Sequence, residues 1–213
     1  PTGNSNYFSY KFTSLQNKTV FQAYNGLTNG LWISDGTTTG TEQFYTFNNN
    51  IFGNPTYADL IRSVELNNKL YFLLDDDLFE TDGTTSGTQA SFVIDPTQKV
   101  YSLAKYSNQL LVVTYTPNSF PTVHKLWALD VSTGNTILLS TGGPIEISPK
   151  GLFNNFMYFT QVNSNGFNEL WESDGTASGT VLISANNIDV DWINGEFNGE
   201  LYFTATVSNV FYV

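Results

Sequence analysis

The sequence predicts an all-β fold assembled from repeated antiparallel units. Three observations carry that prediction: one twelve-residue box recurs along the chain, a tight hairpin recurs ahead of it, and the box aspartates stand 47, 48 and 44 residues apart. Internal repetition at a fixed period is the first thing a sequence of 213 residues is tested for.

Three copies of the box are nearly identical, running Gly30 to Thr41, Asp77 to Thr88 and Glu169 to Thr180. The last reads Glu169-Leu170-Trp171-Glu172-Ser173-Asp174-Gly175-Thr176 before its closing Ala-Ser-Gly-Thr. A worn copy keeps Leu126, Trp127 and Asp130 but replaces the Asp-Gly-Thr turn with Asp130-Val131-Ser132-Thr133-Gly134. Turn chemistry explains the box. Asp35, Asp82 and Asp174 can accept hydrogen bonds from backbone amides two or three residues on, while Gly36, Gly83 and Gly175 supply a conformation that a Cβ would penalise. The flanking threonines suit extended backbone and add hydroxyl-to-backbone bonds, so they need no catalytic role.

Trp32, Phe79, Trp127 and Trp171 occupy one repeat position. An aromatic that returns in every unit is expected to pack sheet on sheet, where truncation to alanine costs about 3–5 kcal/mol. The hairpin ahead of the box is Leu66-Asn67-Asn68-Lys69-Leu70-Tyr71-Phe72, Phe153-Asn154-Asn155-Phe156-Met157-Tyr158-Phe159 and Phe197-Asn198-Gly199-Glu200-Leu201-Tyr202-Phe203, with weaker versions from Gln16 and from Ser107. Asn-Asn and Asn-Gly tolerate the positive φ that a two-residue hairpin demands at both central positions.

Each unit thus holds a hairpin, the Leu-aromatic strand and a fourth strand after the box, as in Thr180-Val181-Leu182-Ile183. Four strands at a period of about 40–50 residues match the blade of a β-propeller and no helical solenoid. The expected architecture is one domain of four blades and part of a fifth, in units of approximately 8–57, 58–99, 100–147, 148–187 and 188–213. Val210 to Val213 reads as a strand with no turn after it, so the protein is expected to continue.

Composition excludes several functions. Eight basic residues, only one of them arginine (Arg62), face nineteen acidic ones for a net charge of -11, which repels nucleic acid. The chain has no cysteine, hence no disulfide, thiolate nucleophile or cysteine-ligated metal. No apolar run approaches the roughly 20 residues that span a bilayer, and the first residues lack the basic-then-apolar pattern of a signal peptide, as expected of a mature fragment. One arginine cannot build the carboxylate-binding cluster of a sialidase, although the Asp-Gly-Thr turn resembles the Asp-box of sialidase propellers. No carboxylate pair stands out for glycoside hydrolysis.

The remaining site candidates are few. His124, the single histidine, sits beside Lys125 after a Pro-containing loop and is read as a loop or strand-edge residue, with a ligand or base as the rival role. Asp75, Asp76 and Asp77 could offer oxygen ligands to calcium but lack the order of a calcium loop, so a solvated turn is favoured. Trp192, aligned with Ile61, Tyr101 and Ser148, lies outside the repeated aromatic position; core packing is favoured over an exposed ring that grips sugar or protein. No cofactor is expected.

The boxes resemble the bacterial ELWxxDGT repeat, whose signature stands here as Glu169 to Thr176. The resemblance runs from Leu15 to about Tyr202, with Phe79 in place of tryptophan and the third box without its Gly-Thr. That third unit is similar instead to quinoprotein-type propellers. The resemblance implies a secreted or cell-surface protein of the kind found in Bacteroidota, exported by type IX secretion and linked to gliding or adhesion. It transfers no catalytic residue. The expected function is therefore a non-enzymatic extracellular module that binds a surface protein or a glycan. A polysaccharide-active enzyme, or its carbohydrate-binding accessory domain, is the alternative, and an inert spacer the third.

Overall fold

A computed structural model describes residues 12–47, 58–184, 188–207 and 210–212. The chain divides into two compact units, Pro1–Val93 and Ile94–Val213, each described by itself. The expected repeat boundaries at 8, 57, 187 and 213 lie outside the described residues.

The first unit holds two sheets. One is β1 (Phe12–Leu15), β2 (Lys18–Tyr24), β3 (Asn29–Ser34) and β4 (Thr41–Thr46); the other is β5 (Ala58–Leu66), β6 (Lys69–Leu74), β7 (Asp77–Thr81) and β8 (Gln89–Ala90). The second unit holds three: β9 (Lys99–Tyr106), β10 (Gln109–Tyr115), β11 (His124–Leu129) and β12 (Thr136–Gly142); then β13 (Ile145–Phe153), β14 (Phe156–Val162), β15 (Asn168–Ser173) and β16 (Val181–Leu182); and last β17 (Ile188–Phe197), β18 (Glu200–Val207) and β19 (Val210–Tyr212). Every sheet is an antiparallel meander in chain order, and no helix occurs among the described residues. The fold is all-β, with four-stranded sheets as expected. The strands after the second and fourth boxes shrink to two residues each.

The hairpin turns take the predicted conformation. Asn67 and Asn68 have φ of 52° and 63°, Asn154 and Asn155 of 48° and 62°, and Asn198 and Gly199 of 53° and 79°. Both central residues are left-handed, which matches the twist of the flanking strands.

Fixed turns fix the register. Four residues beyond the turns at Gln16-Asn17, Asn67-Asn68, Ser107-Asn108 and Asn154-Asn155, an apolar side chain stands opposite the box aromatic: Phe21 against Trp32, Phe72 against Phe79, Val112 against Trp127 and Phe159 against Trp171. In three of these pairs the rings lie 6.4, 5.9 and 6.2 Å apart.

Because neighbours on a strand point to opposite faces, the Leu-aromatic pair serves two seams. Between the first and second sheets, Leu15, Val20, Leu31 and Ile33 meet Leu70, Phe72, Leu74 and Phe79. Between the third and fourth, Leu111, Val113 and Leu126 meet Ile145, Met157, Phe159 and Trp171. Between the fourth and fifth, Phe153, Tyr158 and Leu170 meet Val190, Ile193, Leu201, Phe203 and Ala205. In these seams the box leucine faces the following sheet and the box aromatic the preceding one. The leucine is the fully buried member, since Leu31, Leu126 and Leu170 are at most 1% exposed whereas Trp32, Phe79, Trp127 and Trp171 are half-buried.

Candidate functional site

The box turn is built alike three times. Asp35 Oδ1 accepts from the Thr37 amide (2.9 Å) and hydroxyl (2.7 Å), while Gly40 N donates to Thr37 Oγ1 at 2.9 Å. Asp82 with Thr84, and Asp174 with Thr176, repeat the pattern within 0.1 Å. Hydroxyl pairs close the base of each loop: Ser34 with Thr41, Thr81 with Thr88 and Ser173 with Thr180, at 2.6, 2.7 and 2.7 Å. Gly36, Gly83 and Gly175 have φ of 93°, 90° and 85°, as the turn required. In the worn box, Asp130 bonds Ser132 by the same two contacts and the positive φ moves to Gly134.

The threonine or serine hydroxyl holds all four carboxyls below the usual carboxylate range. Oδ1 of each aspartate is thus engaged by its own turn.

Asp75, Asp76 and Asp77 form a turn and not a cage. Asp75 and Asp76 take φ of 51° and 64° as the two-residue link between β6 and β7, and Asp77 opens β7. Among the described residues no group of three or more histidine or acidic side chains could hold a metal ion.

His124 stands at a strand end, the second of its two expected placements, but is buried there. It opens β11, is 6% exposed, and lies 5.1 Å from the Tyr101 ring and 6.2 Å from that of Tyr115. Its Nδ1 accepts from the Ile145 amide at 3.3 Å, and burial pushes its pKa down against the opposing charge of Glu146. A neutral imidazole used to satisfy a buried amide is poorly placed for proton transfer.

Trp192 is 73% exposed, which corrects the expectation of core packing. Strand β17 slips register between Val190 and Trp192 and again between Ile193 and Gly195. The second of these slips, on the turn side, places Trp192 opposite Thr204, the fifth residue after the tight turn. The residues facing that position elsewhere are Asp59, Ser102 and Glu146, and not Ile61, Tyr101 and Ser148 as the sequence alignment had it. An indole thus replaces polar groups.

On the same face, Tyr202 opposes Gly195 and Phe197 opposes Glu200, with the two rings edge to face at 6.2 Å. Asn194 Nδ2 donates to Thr204 Oγ1 at 2.9 Å beside the indole. Phe197 is 64% and Tyr202 41% exposed, so three aromatic rings line the outer face of the fifth sheet.

A cavity of about 410 Å³ opens between two hairpin turns, lined by Tyr106, Ser107 and Leu152 to Phe156. The Tyr106 hydroxyl donates to the Asn155 carbonyl across it. Buried Glu80 is fully engaged elsewhere, by Lys69 Nζ at 2.6 Å, Gln89 Nε2 at 3.2 Å and Ser91 Oγ at 3.3 Å. Burial and that carboxylate push the Tyr71 hydroxyl up to about 12.

No protein-family model and no curated protein matches the chain. Solved structures do. The chain resembles a puromycin hydrolase with a TM-score of 0.52 at 11% identity, over 89% of this chain and 32% of that one. A serine-to-alanine variant of puromycin hydrolase in complex with PGG gives 0.49 at 12% identity over the same shares. The chain spans about a third of the length of the structures it resembles.

The expected non-enzymatic binding and adhesion module is contradicted by the fold likeness, which at a TM-score of 0.52 is to a puromycin hydrolase. No helix of the described residues is long and apolar enough to cross a membrane.

Proposed function

We propose that the chain is a segment of a β-propeller and that this propeller belongs to a larger hydrolase, for which it forms a rigid wall and not the reacting centre. The observation that carries the reading is the fold likeness over 89% of this chain to an enzyme of which it spans only 32%. Face-to-face stacking of four-stranded meanders within each unit supports the blade assignment, as does the similarity of the boxes to the ELWxxDGT repeat.

The reacting groups are assigned to other parts of the protein. Here the single histidine is committed to a backbone amide, and the box aspartates are committed to their turns. What remains is a stiff scaffold of the kind that shapes access to a catalytic centre and excludes water from it.

The test is a hydrolysis assay on the protein at its native length and on this 213-residue chain, against amides and esters that include puromycin. Turnover by the native-length protein and none by the chain is expected. Turnover by neither overturns the hydrolase reading. Electron microscopy of the native-length protein tests the propeller separately: a disc with radial sheets is expected, and an open rod of sheets would refute it.

A further inference from the structure

The repeat supplies an internal control for the cavity between the third and fourth sheets. At the corresponding place between the first and second sheets, two polar side chains bridge the gap. Gln16 donates from its backbone N to Glu65 Oε1 at 2.7 Å and from Nε2 to the Asn68 carbonyl at 3.2 Å, and Ser14 Oγ donates to Glu65 Oε2 at 3.3 Å. Counted from the tight turns, Gln16 corresponds to Ser107, Glu65 to Leu152, Asn68 to Asn155 and Leu15 to Tyr106.

Ser107 is too short to reach across, and Leu152 has no oxygen with which to accept. The Asn155 carbonyl is met instead by the Tyr106 hydroxyl, and a cavity of about 410 Å³ opens where the bridge would stand. That volume falls within the roughly 300–1,000 Å³ of ligand pockets. The two sheets are packed on each other, so this is a cleft inside a seam and not an outer face.

The lining selects the guest. Tyr106, Phe153 and Phe156 supply rings, Leu152 an aliphatic wall, and Asn154 and Asn155 carboxamides. None of the lining residues carries a charge: burial, and after it the Asp174 carboxylate, push the Tyr106 hydroxyl above its ordinary value and keep the phenol neutral. An ion entering here would shed water without gaining a counter-charge. A flat ring would meet other rings edge to face or offset, and a carboxamide, with donor and acceptor side by side, matches a second amide.

The geometry points to a binding site for a small neutral aromatic amide between the third and fourth sheets, walled by Tyr106, Leu152 and Phe156 and hydrogen-bonded by Asn154 and Asn155. The inference goes beyond the hydrolase reading and does not rest on it.

The experiment is a titration of this chain with N-acetylphenylalaninamide, followed by backbone amide chemical shifts. Saturable shifts centred on Tyr106, Ser107 and Leu152 to Phe156 are expected. Phenylalaninamide, which carries a charge, should bind about tenfold more weakly or worse. Ser107→Gln with Leu152→Glu rebuilds the bridge of the first seam and should weaken binding by a similar factor. The change fits the turn, because Gln16 already adopts φ of 55° where Ser107 has 51°, and Leu152 is 51% exposed, so the melting temperature should hold. Leu152→Glu alone repeats the test at one exposed position. No saturable shift, shifts centred elsewhere in the chain, or undiminished affinity in the rebuilt variant overturns the inference. Binding is read without turnover, so this site and the hydrolase reading can fail independently.

Discussion

The Asp174 carboxylate occupies the space that a side chain on Gly179 would need: a Cβ built there lies 2.1 Å from Asp174 Oδ1. Gly40 stands so against Asp35, and Gly87 against Asp82, each at 2.0 Å. The second glycine of the box is therefore required by close approach, whereas the first, Gly36, has open space and is required by its φ of 93°.

Gly179→Ala should destabilise by about 1–3 kcal/mol through overpacking, and Gly36→Ala by about 1–2 kcal/mol through left-handed strain. The two separate in a double mutant. Asp174→Ala removes the carboxylate that Gly179→Ala strikes, so the pair should cost clearly less than the sum of its singles, while Asp35→Ala should give Gly36→Ala no such relief. Urea denaturation of the six variants measures this, and additivity at Asp174 and Gly179 would refute the packing account.

Lys125 Nζ stands 2.8 Å from Asp95 Oδ2 and, with help from Thr97, holds the Asp95 carboxyl at about 2, down from 3.8. The folded chain keeps this carboxylate ionised where the unfolded chain takes up a proton. Its contribution is thus complete above pH 3.8 and is lost as pH falls toward 2. Lys125→Met should flatten the fall of stability in that window, read as melting temperature against pH. An unchanged slope would show the pair to be inert.

His124 makes the opposite ionic choice. Its pKa is lowered by burial, so below the ordinary value of 6.5 the unfolded chain gains a proton that the folded chain resists. Stability present above 6.5 should fall as pH drops below it. Protonating Nδ1 would also leave the Ile145 amide without its acceptor. His124→Asn, which keeps an acceptor and cannot titrate, should lose much of the slope between neutral pH and about pH 5. A wild-type melting temperature that is flat across that range would contradict the buried neutral imidazole.

Trp192→Ala should change stability by less than about 0.5 kcal/mol because the indole is largely in water, whereas Leu170→Ala should cost about 2–5 kcal/mol from a fully covered seam. Equal costs by chemical denaturation would overturn the assignment of leucine, and not the largest ring, as the buried anchor.

The hairpins, the box turns and the count of strands were legible in the residues because each is local: Asn67-Asn68 or Asp82-Gly83 dictates its own φ. The buried state of His124 was not, since the group that consumes its Nδ1 is the Ile145 amide, 21 residues away across a sheet boundary. Trp192 misled for a related reason. Register slips of different size, between Ile193 and Gly195 in β17, Asp59 and Val64 in β5 and Ile147 and Leu152 in β13, interrupt strict alternation, so counting along the sequence aligned the ring with the wrong neighbours. That Leu170 would be sealed more tightly than Trp171 was not legible either, since the burial of each face is set by the neighbouring sheets. The role of Gly179 was missed although its recurrence five residues after each box aspartate was the available signal.

The two-faced Leu-aromatic dipeptide has a consequence for how such a gene can change. Every junction in the first and second units is cut to one pattern, so a stretch of coding sequence one period long brings its own plug and socket. Duplication or deletion in whole periods leaves the surviving joints matched, whereas an indel of an odd number of residues inside a strand inverts the inward and outward positions beyond it. Length in this lineage should accordingly vary in steps of one sheet.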